Sequence, residues 1–220
     1  MSARKSYNQN CPIARGLDVL GDRWTLLILR ELLGGPRRYS DLRAELPGIA
    51  TNLLAQRLRE LEDAGIVDRA ELPPPVARTV YTLSDVGWGR VLPVLQTIAW
   101  FGLDRLDPID RGPVSPLNGF LAGILLAFDP AAATELNASY RVEIDGRAFE
   151  FAVHEAGLAA AVGEPAVTVT ATAADLVTAR LGSTAAKRTT ALRRMKFTGD
   201  QVSIDALRTV FRLSADHPLT

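Results

Sequence analysis

Apolar residues recur with helical spacing along the first part of the chain. Ile13, Leu17 and Leu20 lie at positions i, i+4 and i+7, and Pro12 suits a first helical turn because its missing N–H would be unpaired there. Glycine and proline clusters, such as Pro47-Gly48, interrupt the pattern. The chain is therefore predicted to begin with helices at residues 12–20, 25–33, 41–46 and 52–64, with Ser40 capping the third.

The apolar period changes to two after the fourth helix. Ile66–Leu72 and Val76–Leu83 are predicted to form a hairpin with Pro73-Pro74-Pro75 at its tip, and a long helix follows over residues 85–103. Short helices, a β-hairpin and a further helix in this order predict a winged helix-turn-helix domain over residues 1–106.

The second half of the chain has a different pattern. Residues 107–116 contain three prolines and a glycine, which predicts a linker to a second domain over residues 117–220. Two alternating segments flank Asp145-Gly146, a hairpin signal. The predicted elements are a helix at 117–128, strands at 139–144, 148–154 and 166–172, and helices at 173–181 and 204–213. The expected fold class of the whole chain is α+β.

The fourth predicted helix has an apolar and a polar side. The apolar side consists of three leucines: Leu54, Leu58 and Leu61. A helical wheel places Asn52, Gln56 and Arg59 nearly opposite, and amide and guanidinium groups pair with adenine and guanine edges in the major groove. These three are the predicted base-reading residues of double-stranded DNA, although any surface helix can carry polar residues opposite leucines.

Further DNA-contacting candidates surround this helix. Thr51 stands at its start, where the hydroxyl caps the helix or contacts a phosphate, and Arg57 near the apolar edge either braces the fold or reaches a phosphate. Candidates outside the helix are Arg37, Arg38, Tyr39 and Arg78, the last on the outward face of the wing strand. For each arginine, a solvated surface position is the alternative interpretation.

Residues 8–103 resemble the HxlR family of bacterial regulators. The matching motifs, in order, are Cys11-Pro12-Ile13, Gly21-Asp22-Arg23-Trp24-Thr25, Arg38-Tyr39-Ser40-Asp41-Leu42, Pro47-Gly48-Ile49, Arg57-Leu58-Arg59-Glu60-Leu61-Glu62, Ala64-Gly65-Ile66-Val67 and Tyr81-Thr82-Leu83. The resemblance implies a winged-helix homodimer that binds an inverted-repeat operator. The run Ala50–Leu54 departs from many members, which carry Ser and Lys there, so the operator sequence is not transferable.

The long helix after the hairpin carries an apolar stripe. Its members are Val91, Val94, Leu95, Ile98 and Phe101, with Trp100 beside them. One part of this stripe can pack on the domain core and the rest would need a partner, which agrees with the dimerisation that the family resemblance implies. Pro93 predicts a kink or a late start of the helix.

Composition limits the function classes. Lys+Arg and Asp+Glu both number 25, so a DNA-binding function must rest on local charge. The single cysteine excludes a disulfide framework and a multi-cysteine metal site, and no phosphate loop or nucleophile elbow appears. We expect a cytoplasmic protein that is not an enzyme, with no signal peptide, no membrane segment, no cofactor and no metal.

Cys11 lies at or just before a helix N-terminus, where the partial positive charge lowers a thiol pKa. It is therefore a candidate redox sensor, and a buried structural thiol is the alternative.

Residues 117–215 resemble the sterol carrier protein type-two-like domain. The resemblance rests on the strand pattern, Ala173-Ala174-Asp175-Leu176 and Phe197-Thr198-Gly199-Asp200. It implies a small antiparallel sheet covered by helices around an apolar cavity, and hence an apolar small-molecule effector. Candidate lining residues, equally explained as plain core, are Phe149, Phe151, Leu176, Phe197 and Phe211.

A basic cluster follows in the second half: Lys187, Arg188, Arg193, Arg194 and Lys196. It fits a second DNA contact, an anionic-ligand site or a solvated helix face. The expected function of the chain is a ligand-modulated regulator, a repressor acting as a homodimer. The alternatives are a carrier of lipids or other hydrophobic molecules and a thiol-based sensor.

Overall fold

The computed structural model describes residues 6–72, 78–106 and 114–216. The chain divides into two compact units, Met1–Val91 and Leu92–Thr220. The sequence prediction placed a linker at residues 107–116, most of which lie outside the described residues, so those domain bounds stay a prediction.

The first unit follows the predicted element order. Its elements are α1 (Pro12–Leu20), α2 (Thr25–Leu32), α3 (Tyr39–Glu45), α4 (Thr51–Asp63), β1 (Val67–Leu72), β2 (Arg78–Leu83) and the start of α5 (Asp85–Gly102). The predicted prolines at the wing tip, with Val76 and Ala77, lie outside the described residues.

Two local expectations were wrong. The residue that precedes α3 as its N-cap is Arg38, not Ser40, and the Arg38 N–H donates to Asp41 Oδ2 at 3.2 Å. Of the two effects predicted for Pro93, the late start of the helix was wrong, since α5 begins at Asp85 and contains Pro93, whereas the kink stays a prediction. Proline supplies no N–H to the carbonyl of the preceding turn, whereas the Thr97 hydroxyl donates to the Pro93 carbonyl at 2.8 Å in the following turn.

Leucine and isoleucine side chains from three helices form the core of this unit. Ile28 of α2, Leu42 of α3 and Leu54 of α4 are each fully buried. Burial of one such side chain stabilises a fold by about 1.5–3 kcal/mol, so the apolar stripes hold the helices together. β1 and β2 pair as an antiparallel hairpin from Val67↔Leu83 to Leu72↔Arg78.

The second unit combines helices with one sheet. After the C-terminal part of α5, its elements are α6 (Pro116–Gly123), β3 (Ala138–Ile144), β4 (Arg147–His154), β5 (Gly157–Ala159), β6 (Val167–Ala171), α7 (Ala173–Leu181), α8 (Ala185–Arg194), β7 (Lys196–Gly199) and α9 (Gln201–Val210). Short 3₁₀ helices lie between α6 and β3.

The sheet of this unit is mixed, with the strand order β5-β4-β3-β6-β7. β3 and β6 run parallel, from Tyr140↔Val167 to Ile144↔Ala171, while the other neighbours are antiparallel. The expectation of an antiparallel sheet was therefore wrong for its central pair. Between β3 and β6 the chain passes through β4, β5 and a loop. A crossover connection of this kind allows β6 to run parallel to β3.

Aromatic rings fill the core of the second unit. Phe149 stacks on Phe120 with ring centroids 4.5 Å apart, and Phe151 lies 5.5 Å from Phe211. All four side chains are fully buried.

The predicted apolar pocket residues belong to this packed core. Phe149, Phe151, Leu176 and Phe211 are fully buried, and Leu176 packs over Gly123, where a Cβ would lie 2.6 Å from Leu176 Cδ2. Phe197 is half-buried and stacks under the Arg208 guanidinium at 4.5 Å. These side chains pack on their neighbours, which agrees with the alternative that they are plain core, and an apolar pocket lined by them stays a prediction.

Arg180 of α7 is the most deeply buried charged side chain described, with 1% of its surface exposed. It donates to the backbone carbonyls of Gly123, at 3.4 Å, and of Arg212, at 2.5 Å, and also to that of Phe211. Burial lowers its pKa to about 10, with a smaller contribution from Arg212, so the guanidinium stays charged at neutral pH. It thereby joins the C-terminal ends of α6 and α9.

None of the described helices has the length and apolar character needed to cross a membrane.

Candidate nucleic-acid interface

A tight turn connects α3 to α4. Gly48 has φ +93°, in the left-handed region that favours glycine, and a Cβ there would lie 3.8 Å from Trp24 Cη2. The start of α2 thus lies against the turn between α3 and α4. Ala50, in extended conformation, is the N-cap of α4, and no side chain caps the helix. The predicted cap role of Thr51 was wrong, since Thr51 is the first helical residue.

The two sides of α4 are separated as the sequence predicts. Three leucines of this helix, with at most 1% of their surface exposed, face the core: Leu54, Leu58 and Leu61. Asn52, Gln56 and Arg59 are all exposed. Gln56 Nε2 donates to Glu60 Oε1 at 2.9 Å, whereas Arg59 has no side-chain partner among the described residues.

Arg57 is held inside the unit. Its side chain is only 14% exposed, and its guanidinium forms ion pairs with the carboxylates of Asp22 and Glu60. Of the two roles that the sequence left open, this geometry matches bracing: Arg57 ties α4 to the turn before α2. The motif Gly21-Asp22 was visible in the sequence, but its pairing with a residue 35 positions later was not.

Tyr39 also positions the helix. Its hydroxyl donates to the Thr51 carbonyl at 2.6 Å, which joins the start of α3 to the start of α4. Arg38, the residue before Tyr39, has an exposed side chain. Thr51, whose carbonyl accepts the bond from Tyr39, is also exposed. Arg38 is therefore accessible at the N-terminal end of α3, and Thr51 at the N-terminal end of α4.

The two remaining arginine candidates are less accessible. Arg37 is half-buried, its backbone pairs with Tyr81 of β2, and its Nε and Nη2 atoms are buried without a hydrogen-bond partner among the described residues. Arg78 is half-buried and lies on the same side of β2 as Val80, which is 6% exposed. The face of Arg78 is thus turned partly toward the core, and its assignment to an outward face was wrong.

Sequence reasoning missed Glu31 of α2. The residue is 2% exposed, its Oε1 accepts from Arg30 at 2.5 Å, and its Oε2 has no partner among the described residues. Burial raises the pKa of this carboxyl, against the opposing effect of Arg30. The signal available in the sequence was one acidic residue within an apolar segment.

Cys11 is the N-cap residue of α1 and is half-buried. The backbone N–H groups of Ala14 and Ile13, at the start of this helix, lower the pKa of its thiol. The thiolate is therefore favoured relative to an unstructured cysteine.

Apolar side chains remain exposed on α1 and on the C-terminal part of α5. Ile13 is 73% and Phe101 72% exposed, and Ile98, Trp100 and Leu17 are each exposed by more than two fifths. Val91 of the same predicted stripe is buried. The stripe therefore divides into a part that packs internally and a part with no cover among the described residues.

Three comparisons with known proteins concern the first half of the chain. A family model for the HxlR-like helix-turn-helix matches residues 19–110. The uncharacterized HTH-type transcriptional regulator YvaP of Bacillus subtilis (strain 168) is 35% identical over 104 residues, covering 47% of this chain and 95% of that protein. YodB of the same organism, also an HTH-type transcriptional regulator, is 35% identical over 94 residues, covering 42% and 84%.

Among solved structures, a MarR-family transcriptional regulator from Porphyromonas gingivalis W83 is 31% identical, with a TM-score of 0.42, and covers 47% of this chain and 100% of that one. The region matched by the family model contains α2 to α5, and so the whole of α4.

Proposed function

Since this chain belongs to the HxlR family of helix-turn-helix transcriptional regulators, we propose that a homodimer of it binds an inverted-repeat DNA operator through the exposed face of α4. The chain is a DNA-binding transcriptional regulator and not an enzyme. The proposal concerns which residues read the operator, how the protein assembles and what modulates it.

One observation carries the assignment of the reading residues. α4 presents Asn52, Gln56 and Arg59 to solvent while its leucines anchor the opposite side. Arg57 and Tyr39 fix the helix from two directions, which keeps the three polar side chains in one orientation. A recognition helix needs this combination, because base-specific hydrogen bonds require side chains held in register with the base edges.

Phosphate contacts are proposed for the N-terminal end of the helix. The exposed Thr51 lies there, with backbone N–H groups at the start of the helix, and the exposed Arg38 precedes α3, which Tyr39 joins to the start of α4. Arg37 and Arg78 contribute only if their half-buried guanidinium groups turn outward. Such contacts orient the protein on the duplex without selecting a sequence.

The homodimer is proposed from the exposed apolar side chains of α1 and α5. A two-fold dimer presents two copies of α4 to successive turns of the major groove, so its operator has matching half-sites. Repression follows if a bound dimer blocks access of the transcription machinery to a promoter, and an effector that binds the second unit would modulate it. The packed aromatic core disfavours the alternative of a lipid carrier.

The reading face is tested by alanine substitution. Operator fragments are first selected from genomic DNA with the parent protein, and affinities for operators altered at each position are then measured for Gln56→Ala and Arg59→Ala. Each variant is expected to lose discrimination at one position in each half-site by about 1–3 kcal/mol, because one bidentate base contact is removed.

Arg208→Ala is the matched control for Arg59→Ala, since it removes the same charge from an exposed position of α9, outside the basic cluster of the second unit. If both α4 variants discriminate like the parent, α4 does not read the operator as proposed.

A thiol-based sensor is a second candidate function, favoured by the lowered pKa of Cys11. Alkylation of Cys11 is expected to show a pH midpoint below that of an unstructured peptide cysteine, and oxidant is expected to weaken operator binding by the parent but not by Cys11→Ser. Equal oxidant effects on both proteins would remove this candidate.

A further inference from the structure

A groove crosses the open face of the sheet in the second unit. It has a volume of about 500 Å³, within the range of small-molecule sites. It lies where the parallel strands β3 and β6 end, next to the first turn of α7 and the last turn of α8. The groups that matter for recognition are Glu143, Asp145, Thr170, Asp175, Arg194 and Lys196.

The strand register places three polar groups in one row across the groove. Glu143 of β3 is paired with Thr170 of β6, and Thr170 with Lys196 of β7. Side chains of directly paired residues lie on the same face of a sheet, and neighbouring strands are about 4.8 Å apart. A carboxylate, a hydroxyl and an ammonium group thus follow one another over about 10 Å.

The carboxylates of the groove already have partners. Arg141 Nε donates to Glu143 Oε1 at 3.0 Å, and Arg194 pairs with Asp175 at 3.3 Å. Asp145 Oδ2 accepts the Ala173 N–H at 3.0 Å. The Lys196 ammonium, in contrast, is exposed and has no hydrogen-bond or ion-pair partner within the described part of the chain.

The charged and hydroxyl groups of the groove determine which class of ligand it can bind. An anionic group gains an ion pair with Lys196, and the exposed Arg194 guanidinium next to it has further N–H donors. Hydroxyl groups of the same ligand can bond to Thr170 and donate to the carboxylate oxygens at the other end of the row. An apolar ligand would desolvate these charged groups without compensation.

A long polyanion is disfavoured in the groove by its acidic members. The formal charges of the lining residues balance at three positive and three negative, so the groove does not attract nucleic acid through its net charge. The preference for an anion arises at one end only, where Lys196 is unpaired.

We propose that this groove binds a small hydroxylated organic anion, a carboxylate or a phosphate ester, with its anionic group on Lys196 and Arg194 and its hydroxyl groups on Thr170 and Glu143. The site is independent of the DNA-reading residues and does not rest on the function proposed for them. It gives the second unit a polar ligand in place of the apolar one that the sequence predicts.

The test is a titration of the full-length ¹⁵N-labelled protein with glucose 6-phosphate, citrate, neutral glucose and decanoate, followed by amide chemical shifts. Glucose 6-phosphate or citrate is expected to cause saturable shifts centred on Thr170, Asp175 and Lys196, and the more effective of the two identifies phosphate or carboxylate as the preferred group. Glucose, which lacks the anionic group, and decanoate, whose carboxylate is attached to an apolar chain without hydroxyl groups, are each expected to bind at least ten-fold more weakly.

Three variants test the role of Lys196 in this binding. Lys196→Gln is expected to raise the dissociation constant at least ten-fold and Lys196→Arg to restore binding, whereas Arg193→Gln, which removes a charge outside the groove, is expected to change it less than two-fold. Unchanged amide shifts elsewhere in β6 and β7 verify that the variants fold. Any of three results overturns the proposal. These are the absence of saturable shifts with both anions, shifts centred elsewhere, and equal weakening of binding by Lys196→Gln and Arg193→Gln.

Discussion

Two nearby arginines on α4 differ in exposure and ion pairing because they lie at different positions around the helix. Arg59 points to solvent without a partner among the described residues, whereas Arg57, two residues earlier, is enclosed by the carboxylates of Asp22 and Glu60. An arginine that is already paired and mostly buried would have to give up both ion pairs to reach DNA. A guanidinium in solvent has no such cost, so Arg59 is the better candidate for the proposed reading role.

Glu31 gives a prediction at the scale of one residue. Burial raises its pKa, so the folded protein binds this proton more tightly than the unfolded chain. Its contribution to stability is therefore greatest below the unfolded pKa of about 4.3 and is lost as pH rises through the folded value. Glu31→Gln is expected to raise the melting temperature at pH 7, and this gain is expected to shrink below about pH 4.

The control for this prediction is Glu62→Gln, at an exposed position of α4. Its effect on the melting temperature is expected to change much less with pH. A melting temperature of Glu31→Gln that falls at pH 7 would mean that the ionised carboxylate stabilises the fold through Arg30 more than burial disfavours it.

At the scale of elements, the second unit is joined through backbone ends as well as through its sheet. The carbonyls that Arg180 binds lie at the end of α6 and just after α9, where helices leave carbonyl groups unpaired. A positive charge near helix C-termini also interacts favourably with the helix dipoles. One side chain from α7 therefore connects three helices.

Arg180→Met is expected to lower the free energy of unfolding of the second unit by about 2–4 kcal/mol, because buried carbonyls lose charged donors. Hydrogen exchange of the β3 and β4 amides measures the free energy of unfolding of the second unit separately from that of the first.

Arg193→Met, at an exposed position of α8, is the matched control and is expected to exchange like the parent. Equal exchange rates in Arg180→Met and the parent would show that water or neighbouring groups replace the guanidinium without loss.

At the scale of the whole molecule, the formal charge is balanced, with 25 basic and 25 acidic residues. Attraction to DNA therefore depends on where charge is placed and on how many reading helices bind together. The proposed two-fold dimer would double both the reading face and the phosphate contacts, and this doubling would contribute more here than in a strongly basic protein.

Phe101→Ser tests the proposed dimer. A buried phenylalanine contributes about 1.5–3 kcal/mol, and symmetry places two copies in one interface, so the dimer dissociation constant is expected to rise about 100-fold or more. Sedimentation equilibrium measures this constant directly.

The control is Val202→Ser on α9, since Val202 is 79% exposed and apolar but lies outside the proposed interface. It is expected to leave assembly unchanged. If Phe101→Ser dimerises like the parent, the exposed part of α5 is not the interface.

The sequence by itself determined the order of elements in the first unit and the two sides of α4. Both depend on local information: the apolar spacing of Leu54, Leu58 and Leu61 requires one buried side, and Pro47-Gly48 requires a turn before the helix. Only the exact ends moved by one or two residues, because capping depends on backbone geometry at single positions.

Tertiary structure alone decided which polar side chains are available. Arg57 finds its partner Asp22 far away in the sequence, Arg78 lies beside buried Val80, and the parallel pairing of β3 with β6 depends on how the chain returns to the sheet. The aromatic residues that suggested a cavity pack against one another in the core. Periodicity records which side of an element is apolar, whereas the identity of the neighbour on that side is set by packing between distant segments.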